Sequence, residues 1–318
     1  MKICHDIDSC DIRTPTILTF GVFDGLHLGH QVIMNRVLER AKATGLSPTL
    51  LTFDPHPRAE LHPASAPPLL HTFEQKMEGL ERLGIEQVVV LNFTKELAAM
   101  SAEDFLLQIV FGKLNAQEVY LGQGFAFGYK RTGNFALLKA VAERLHRVAE
   151  EVPELPIRGQ RISSTAVRNL LSEGRVNMAR RMLGRPYGVE SEVIQGRKIG
   201  KAILRYATAN LKPHNAVLPA NGVYITLTLI DGEWWRSLTN IGVRPTVSND
   251  KELTVEAHVI GLDKELYGEK IRIRFLHRLR GEKMFNSIDA LRAQIDRDYN
   301  RALRYFASGI VKRNFQFR

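Results

Sequence analysis

Strand-like and helix-like patterns alternate along the first part of the chain, and this alternation limits the folds that the chain can adopt. Residues 16–23 form a β-branched and aromatic run, and the helical pattern that follows stops at Gly45. Further strand-like runs occur at residues 48–53, 87–93 and 118–122, with helical patterns between them. Because strands that alternate with helices pair in parallel, this part predicts a doubly wound α/β sheet.

From about residue 186 the pattern changes to short strands separated by turns, with almost no helix until the end of the chain. This pattern is typical of an antiparallel sheet or a small β-barrel. Residues 287–306 then predict an amphipathic terminal helix. We therefore expect two domains, one over residues 1–185 and one over residues 186–318.

The composition is that of a folded protein that favours anionic partners. Hydrophobic residues make up 44% and charged residues 25%, and the net charge is +10. No apolar run is long enough to span a bilayer, and the N-terminus lacks the apolar core of a signal peptide. Only Cys4 and Cys10 occur, which excludes a disulfide framework and a cysteine zinc cluster. We expect a cytoplasmic protein without a membrane partner.

Two histidines three residues apart, His27 and His30, follow the first predicted strand. Open α/β sheets bind their ligands at the carboxyl ends of the strands. The helix that starts there offers free N–H groups and a positive dipole end to a phosphate. Imidazoles beside it can donate hydrogen bonds to phosphoryl oxygens, and Gly25 and Gly29 allow a nucleotide to approach the backbone. The sequence therefore predicts a phosphate site here.

A second phosphate-binding element is predicted at Ser163, Ser164 and Thr165, which begin a helix with Arg168 one turn further on. Hydroxyls and a guanidinium at a helix N-terminus can close on a phosphate. The same residues could form an ordinary helix cap. Their combination with the two histidines favours the phosphate site.

Four stretches resemble one family of enzymes. GVFDGLHLGH and ISSTAVR are similar to the two signature motifs of the nucleotidyltransferase superfamily, whereas TFDPHPR and FAFGYKRTGN resemble the FMN adenylyltransferase module of bacterial FAD synthetases. The resemblance implies that the adenylyl group of ATP passes to the phosphate of FMN, with Mg²⁺, and that pyrophosphate is released. It implies catalytic contacts to the ATP phosphates from His27, His30 and Arg168.

The same resemblance implies the substrate-binding residues of this domain. The nucleotide site would consist of Gly21, Phe23, Asp24, Gly25, Gly29, Ser163, Ser164 and Thr165. The residues towards the flavin would be Pro55, His56, Phe125 and Phe127. In the stretch GQGFAFG, Gly124 and Ala126 stand where the family usually has an aspartate and an arginine, so we expect an effect on flavin affinity.

The strand-rich half resembles the riboflavin kinase module that follows the adenylyltransferase in bifunctional members of the family, most specifically at TNIGVRPT and VEAHV. The strand pattern alone favours a surface role for Glu256, whereas the resemblance implies the general base that activates the attacking alcohol. The resemblance also implies that Thr208 and Asn210 hold Mg²⁺ and phosphate. Arg244, in the stretch TNIGVRPT, is a candidate flavin-binding residue, and its guanidinium is either a phosphate contact or a salt-bridge partner.

Residues 196–210 depart from the glycine-rich segment that is usual in this family. Ala207 replaces a proline, and Leu204-Arg205-Tyr206 replaces a segment with glycine and phenylalanine. Proline fixes φ and glycine allows close approach to phosphates, so we expect a looser loop.

We expect a bifunctional enzyme that uses ATP to convert riboflavin to FMN and FMN to FAD. One alternative is a monofunctional FAD synthetase with a degenerate kinase domain, which the altered loop suggests. The other is a nucleic-acid-binding regulatory protein, because H-x-G-H motifs also occur in aminoacyl-tRNA synthetases and the chain is basic. The basic residues are scattered and lack interleaved aromatic residues, so nucleic acid is not the expected partner.

Overall fold

The structure of the chain is a computed structural model. It describes residues 1–5, 7, 10, 12, 14–157, 159–195, 208–245 and 251–309, with the backbone alone at 244, 245, 251 and 252. The chain divides into two compact units, Met1–Ser164 and Thr165–Arg318. Within the described residues, no helix combines the length and the apolar character that crossing a membrane requires.

The first unit is built on a six-stranded parallel sheet. Its strands are β1 (Lys2–Cys4), β2 (Thr16–Phe20), β3 (Ser47–Phe53), β4 (Gln87–Leu91), β5 (Ala116–Gly122) and β6 (Val148–Val152). The strand order is β1-β4-β3-β2-β5-β6, and every pair is parallel. The chain therefore builds outward from β2 in one direction and then from β5 in the other. The carboxyl end of β2 lies at this reversal, which is where such sheets bind their ligands.

Helices cover both faces of the sheet. They are α1 (Leu28–Thr44), α2 (Pro57–Leu61), α3 (Phe73–Arg82), α4 (Lys95–Ala99), α5 (Ala102–Asp104) and α6 (Phe135–Arg144). All five residues of β2 are buried, as expected for a strand covered on both faces. After α5 the chain passes into π-helical turns over Phe105–Lys113. Two short strands, β7 (Pro156–Ile157) and β8 (Gln160–Arg161), form a hairpin.

The second unit is a closed antiparallel barrel with helices before and after it. It contains α7 (Ser164–Ser172), which begins at the unit boundary, α8 (Val176–Leu183), β9 (Tyr187–Ile194), β10 (Ala209–Pro213), β11 (Gly222–Ile230), β12 (Glu233–Pro245), β13 (Lys251–Val259), β14 (Lys270–Arg280) and α9 (Ile288–Ala307). The strand order around the barrel is β10-β13-β12-β11-β14-β9. The predicted parallel sheet, barrel and terminal helix are thus confirmed.

The division of the structure differs from the predicted domain boundary. The sequence places α7 and α8 before the boundary at residue 185, whereas the second unit begins at Thr165. Contacts to the barrel unit hold these helices: α8 packs against β14, and the Ala220 amide donates to the Leu171 carbonyl over 2.9 Å.

The terminal helix covers the outer face of the barrel. Val223, Ile225 and Leu227 of β11 point outward and form an apolar cluster with Ala302 of α9, which is fully buried. The residues between them on β11 point inward, as the two-residue period of a strand requires. Ser287 begins the helix by accepting a hydrogen bond from the Ala290 amide over 3.1 Å.

Candidate active sites

The turn between β2 and α1 is held in an unusual backbone conformation. Phe23 and Leu26 have φ values of 53° and 41°, in the left-handed region that side chains other than glycine rarely adopt, and Gly25 between them has a φ of 81°. Such strain persists only where the surroundings impose it, and both side chains are buried in the core beside α3. The turn is therefore a rigid platform at the carboxyl end of β2.

His27 and His30 meet at the start of α1. The rings are stacked with centroids 3.5 Å apart, and Nδ1 of His27 accepts a hydrogen bond from the His30 amide over 3.2 Å. Because Nδ1 is an acceptor, the proton of the neutral His27 ring lies on Nε2. His27 thus caps the helix with one nitrogen and keeps an N–H donor on the other. The ring of Phe23 meets that of His30 edge-on at 5.2 Å and fixes its position.

Two glycines predicted to bind the nucleotide leave space for these rings. A Cβ at Gly29 would lie 3.2 Å from Nδ1 of His27, so a larger residue would press on the stacked imidazole. A Cβ at Gly21 would lie 3.4 Å from the ring of Phe23 and 3.6 Å from that of Phe125. At both positions a side chain would press on a neighbouring ring, so the two glycines allow the turn to pack closely against these aromatic and imidazole rings.

Asp24 braces the turn. Its buried carboxylate accepts hydrogen bonds from the amides of Leu70 (2.9 Å) and His71 (3.4 Å). Its carbonyl accepts a hydrogen bond from the Ser164 hydroxyl over 2.8 Å. The structure thus places Asp24 at the predicted nucleotide site, where its carboxylate faces backbone amides.

The predicted serine- and threonine-rich element is divided between the units. Ser163 and Ser164 belong to the first unit. The Ser164 hydroxyl donates to the Asp24 carbonyl, which places both serines beside the turn between β2 and α1. The Ile162 carbonyl just before them lies 4.0 Å from the Cβ position at Gly29. Thr165 and Arg168 lie on α7 in the second unit.

The predicted flavin-binding residues differ in exposure. Phe125 is half-buried over Gly21. Phe127 is buried in the core, with its ring edge-on to Phe20 at 5.2 Å, so it packs behind Phe125. His56 caps α2 by accepting from the Arg58 amide over 3.0 Å, and Pro55 before it is exposed.

Sequence reasoning missed Lys76, on the first turn of α3. Its Nζ donates to the hydroxyl of Thr52 over 3.3 Å, and that hydroxyl donates to the Val22 carbonyl just before the turn. Burial lowers the pKa of the Lys76 ammonium, against the attraction of Asp54 and Asp24. A helical lysine gives no sequence signal for such a position, since only the fold brings it to the ends of β2 and β3.

In the barrel unit, Glu256 and Asn210 are direct cross-strand neighbours. Asn210 of β10 pairs with Glu256 of β13, and both side chains are half-buried on the outer face. Thr208 immediately precedes β10 and is also half-buried. The side chain of Arg244 and the altered loop residues up to Ala207 lie outside the described residues. The structure therefore brings together three of the four predicted kinase residues.

The fold and these sites define a class of protein: a doubly wound α/β module with paired histidines at the carboxyl end of its central strand, joined to an antiparallel barrel module. The FAD synthetase family model matches residues 10–166, and the riboflavin kinase family model matches residues 183–306. Bifunctional riboflavin kinase/FMN adenylyltransferases from Haemophilus influenzae and Escherichia coli are 35% and 31% identical to the chain. The alignments cover 92% and 93% of this chain and 94% of each relative. The chain belongs to the bifunctional riboflavin kinase/FMN adenylyltransferase family.

The fold also matches a solved structure along its whole length. A crystal structure titled as a macrolide-efflux protein from Streptococcus pneumoniae is 25% identical, with a TM-score of 0.85, and the alignment covers 99% of both chains. The two chains therefore share one fold.

Proposed function

We propose that this chain makes FAD from riboflavin in two ATP-dependent steps. The barrel unit phosphorylates riboflavin to FMN and releases ADP, and the parallel-sheet unit transfers the adenylyl group of a second ATP to FMN and releases pyrophosphate. The observation that carries the first assignment is the cross-strand pair of Asn210 and Glu256. The stacked His27 and His30 on the strained turn carry the second.

In adenylyl transfer, a phosphate oxygen of FMN attacks the α-phosphorus of ATP, and the bond from that phosphorus to the pyrophosphate oxygen breaks. Negative charge builds on the phosphoryl oxygens during this displacement. The Nε2–H of His27 and the ring of His30 donate hydrogen bonds to those oxygens, and the positive end of the α1 dipole adds its partial charge. Ser163 and Ser164 also donate to the phosphates, as the resemblance of the motif that they share with Thr165 and Arg168 implies. Phe125 lies towards the flavin ring.

In the kinase step, Glu256 accepts the proton of the riboflavin hydroxyl that attacks the γ-phosphorus of ATP. The new O–P bond forms as the bond to the ADP oxygen breaks. Asn210 and Thr208 would contact the phosphates.

The residues around Glu256 fit Mg²⁺. The amide oxygen of Asn210 and the hydroxyl of Thr208, next to Glu256, are hard oxygen donors of the kind that Mg²⁺ prefers. In the described part of the chain, three or more histidine, cysteine, aspartate or glutamate residues nowhere group into a metal site. Bound beside Glu256, Mg²⁺ supplies charge neutralisation to the transferred phosphoryl group.

Two further assignments belong to this proposal. ATP and riboflavin as substrates favour a cytoplasmic location. The adenylyltransferase domain would end near residue 185, where the riboflavin kinase family model begins its match at residue 183.

The proposal is tested by separating the flavins made from riboflavin, ATP and Mg²⁺, and then from FMN, ATP and Mg²⁺. We expect FMN and FAD in the first mixture and FAD in the second. FAD from FMN alone, with no product from riboflavin, would identify a degenerate kinase domain.

His30→Ala should lower FAD formation by about 10²–10³-fold and leave FMN formation intact. Glu256→Gln should lower FMN formation by about 10²–10⁴-fold and leave FMN adenylylation intact.

A further inference from the structure

We propose that Asn240 binds the sugar-alcohol chain of riboflavin beside the hydroxyl that is phosphorylated. This inference deepens the proposed function, and it rests on Glu256 as the base of the kinase step. Asn240 lies in the stretch TNIGVRPT, which resembles the riboflavin kinase module, and its type and position in a strand predict no role for it.

The register of the barrel places Asn240 in one row with the proposed base. Glu256 of β13 pairs with Asn210 of β10 on one side and with Asn240 of β12 on the other. Directly paired residues project to the same face of a sheet, with Cβ atoms about 5 Å apart. Inward-pointing Ala257 and Thr239, each next to a member of the row, are fully buried, whereas the three members of the row are half-buried. Asn210, Glu256 and Asn240 therefore form a polar row on the outer face.

The amide of Asn240 is available to a ligand. Within the described residues it makes no hydrogen bond to another side chain or to the backbone. Its Nδ2 lies 3.4 Å from the position that a Cβ would take at Gly242, two residues along the same face. The carboxylate of Glu282 fills the space above that glycine and accepts a hydrogen bond from the Val243 amide over 3.3 Å. A half-buried amide with donors and an acceptor unused is suited to an alcohol, which offers one of each.

The in-line geometry of phosphoryl transfer indicates that riboflavin, rather than ATP, contacts Asn240. The attacking oxygen and the leaving oxygen lie on opposite sides of the transferred phosphorus. With the ATP phosphates towards Asn210, the alcohol must approach the base from the other side, which is that of Asn240. The row also becomes apolar in that direction. Its next member is Val223, in the cluster that α9 covers, and the guanidinium of Arg280 beyond Val223 is already paired with Asp298 over 2.8 Å.

The test compares Asn240→Ala, Asn240→Ser and the control Asn300→Ala, which makes the same change on the exposed face of α9. We expect Asn240→Ala to raise the KM for riboflavin by about fivefold to tenfold, which corresponds to the loss of one or two hydrogen bonds. The KM for ATP should stay within twofold. Asn240→Ser, which keeps a donor and an acceptor, should recover part of the loss. The control variant should match the unmodified protein.

A second measurement separates this role from a structural one. Lumiflavin has the flavin ring without the sugar-alcohol chain, so its inhibition constant should be unchanged in Asn240→Ala. Equal weakening of lumiflavin and riboflavin, or a rise in the KM for ATP, would overturn the assignment of Asn240 to the chain. An unchanged KM for riboflavin, together with an inactive Glu256→Gln, would refute Asn240 alone. A fully active Glu256→Gln would instead remove the proposed base, and with it the ground for this inference.

Discussion

Lys76 brings a positive charge to the carboxyl edge of the parallel sheet, next to the strained turn. Its Nζ donates to the hydroxyl of Thr52, which in turn donates to the Val22 carbonyl just before that turn. The negative charges of Asp54 and Asp24 act to raise the pKa of the Lys76 ammonium, against the larger lowering that burial causes. A partly buried ammonium at this edge is suited to the anionic substrates of adenylyl transfer. The substitution Lys76→Met removes this charge. It should lower kcat/KM for FMN adenylylation by about tenfold or more, since a charged hydrogen bond is worth about 1.5–3 kcal/mol.

The pH dependence of FMN adenylylation shows whether the Lys76 ammonium contributes to this reaction. Because burial lowers the pKa of Lys76 below its ordinary value of 10.5, the ammonium loses its proton at a lower pH than an exposed lysine. Adenylylation should therefore decline on the alkaline side below pH 10.5. Lys76→Arg, which stays charged, should move that decline upward. Rate profiles between pH 7 and 11 check this, with exposed Lys95→Met as the control. A profile that Lys76→Arg leaves in place would contradict the role.

At this scale, some functional residues could be predicted from the sequence and others could not. His27 and His30 follow a strand and begin a helix, so local spacing alone brings them together. Lys76 and Asn240 depend on the fold instead. Lys76 reaches the site through the packing of α3 against the sheet, and Asn240 through a strand register that no local pattern specifies. Phe127 is a different case, because its motif suggests a ligand contact whereas the structure buries its side chain in the core.

Among the elements of the first unit, α1 is tied to β5 by a buried ion pair. Arg40 makes two hydrogen bonds to Glu118, of 3.0 and 2.7 Å, and the hydroxyl of Tyr120 donates to the same carboxylate over 2.7 Å. The Glu118 side chain is only 7% exposed. The Arg40 hydrogen bond, assisted by that of Tyr120, holds the pKa of Glu118 below its ordinary value of 4.5. Burial in turn raises the pKa of Tyr120 to about 12.

This pair should stabilise the first unit in a pH-dependent way. A carboxylate with a lowered pKa in the folded state contributes its full stabilisation above pH 4.5 and loses it as the pH falls through the folded-state value. Glu118→Gln should lower the free energy of unfolding by about 2 kcal/mol at pH 7, and by less at pH 3. Hydrogen exchange of the β5 and β6 amides measures this unit alone. Glu150→Gln, which breaks the more exposed pair with Arg36, should cost about 0.5 kcal/mol or less.

In the barrel, hydroxyl groups form a network between β11 and β12. Thr226 is hydrogen-bonded to Ser237 at 2.9 Å and to Thr239 at 2.8 Å, and all three residues are fully buried. Thr226→Val keeps the shape but removes the shared oxygen, so we expect a loss of about 1–3 kcal/mol in the free energy of unfolding. The double variant with Thr239→Val should recover part of it, because the partnerless Thr239 hydroxyl is then gone and Ser237 keeps its hydrogen bond to Thr228 at 2.8 Å. Hydrogen exchange of the β11 amides checks both, and an additive double variant would argue against the network.

The elements themselves were largely predictable, because their hydrophobic periods differ. Alternating strands and helices predicted the parallel sheet, and turn-separated strands predicted the barrel. The buried hydroxyls were not predictable, since threonine and serine in a strand are equally compatible with its exposed face. The π-helical turns over Phe105–Lys113 also lie beyond pattern reasoning, because an apolar run does not distinguish the two helical hydrogen-bond patterns.

For the whole molecule, the two proposed sites differ in the chemistry that they use. The parallel-sheet unit presents donors on a rigid turn, which suits the stabilisation of phosphoryl charge, whereas the barrel unit presents a carboxylate between two amides, which suits the removal of a proton. The pairs at the centre of the two proposed sites belong to different units: His27 and His30 to the first, and Asn210 and Glu256 to the second. The two reactions should therefore be separable by substitution.

Separable reactions predict complementation between two inactive proteins. His30→Ala should still make FMN, and Glu256→Gln should still adenylylate FMN, so neither variant alone makes FAD efficiently from riboflavin. A mixture of the two should do so, because FMN released by one can be bound by the other. FAD should appear after a lag in which FMN accumulates, and an added FMN-binding protein should suppress it. FMN accumulation without FAD in the mixture would contradict this, since it would mean that the second step accepts only FMN made on the same chain.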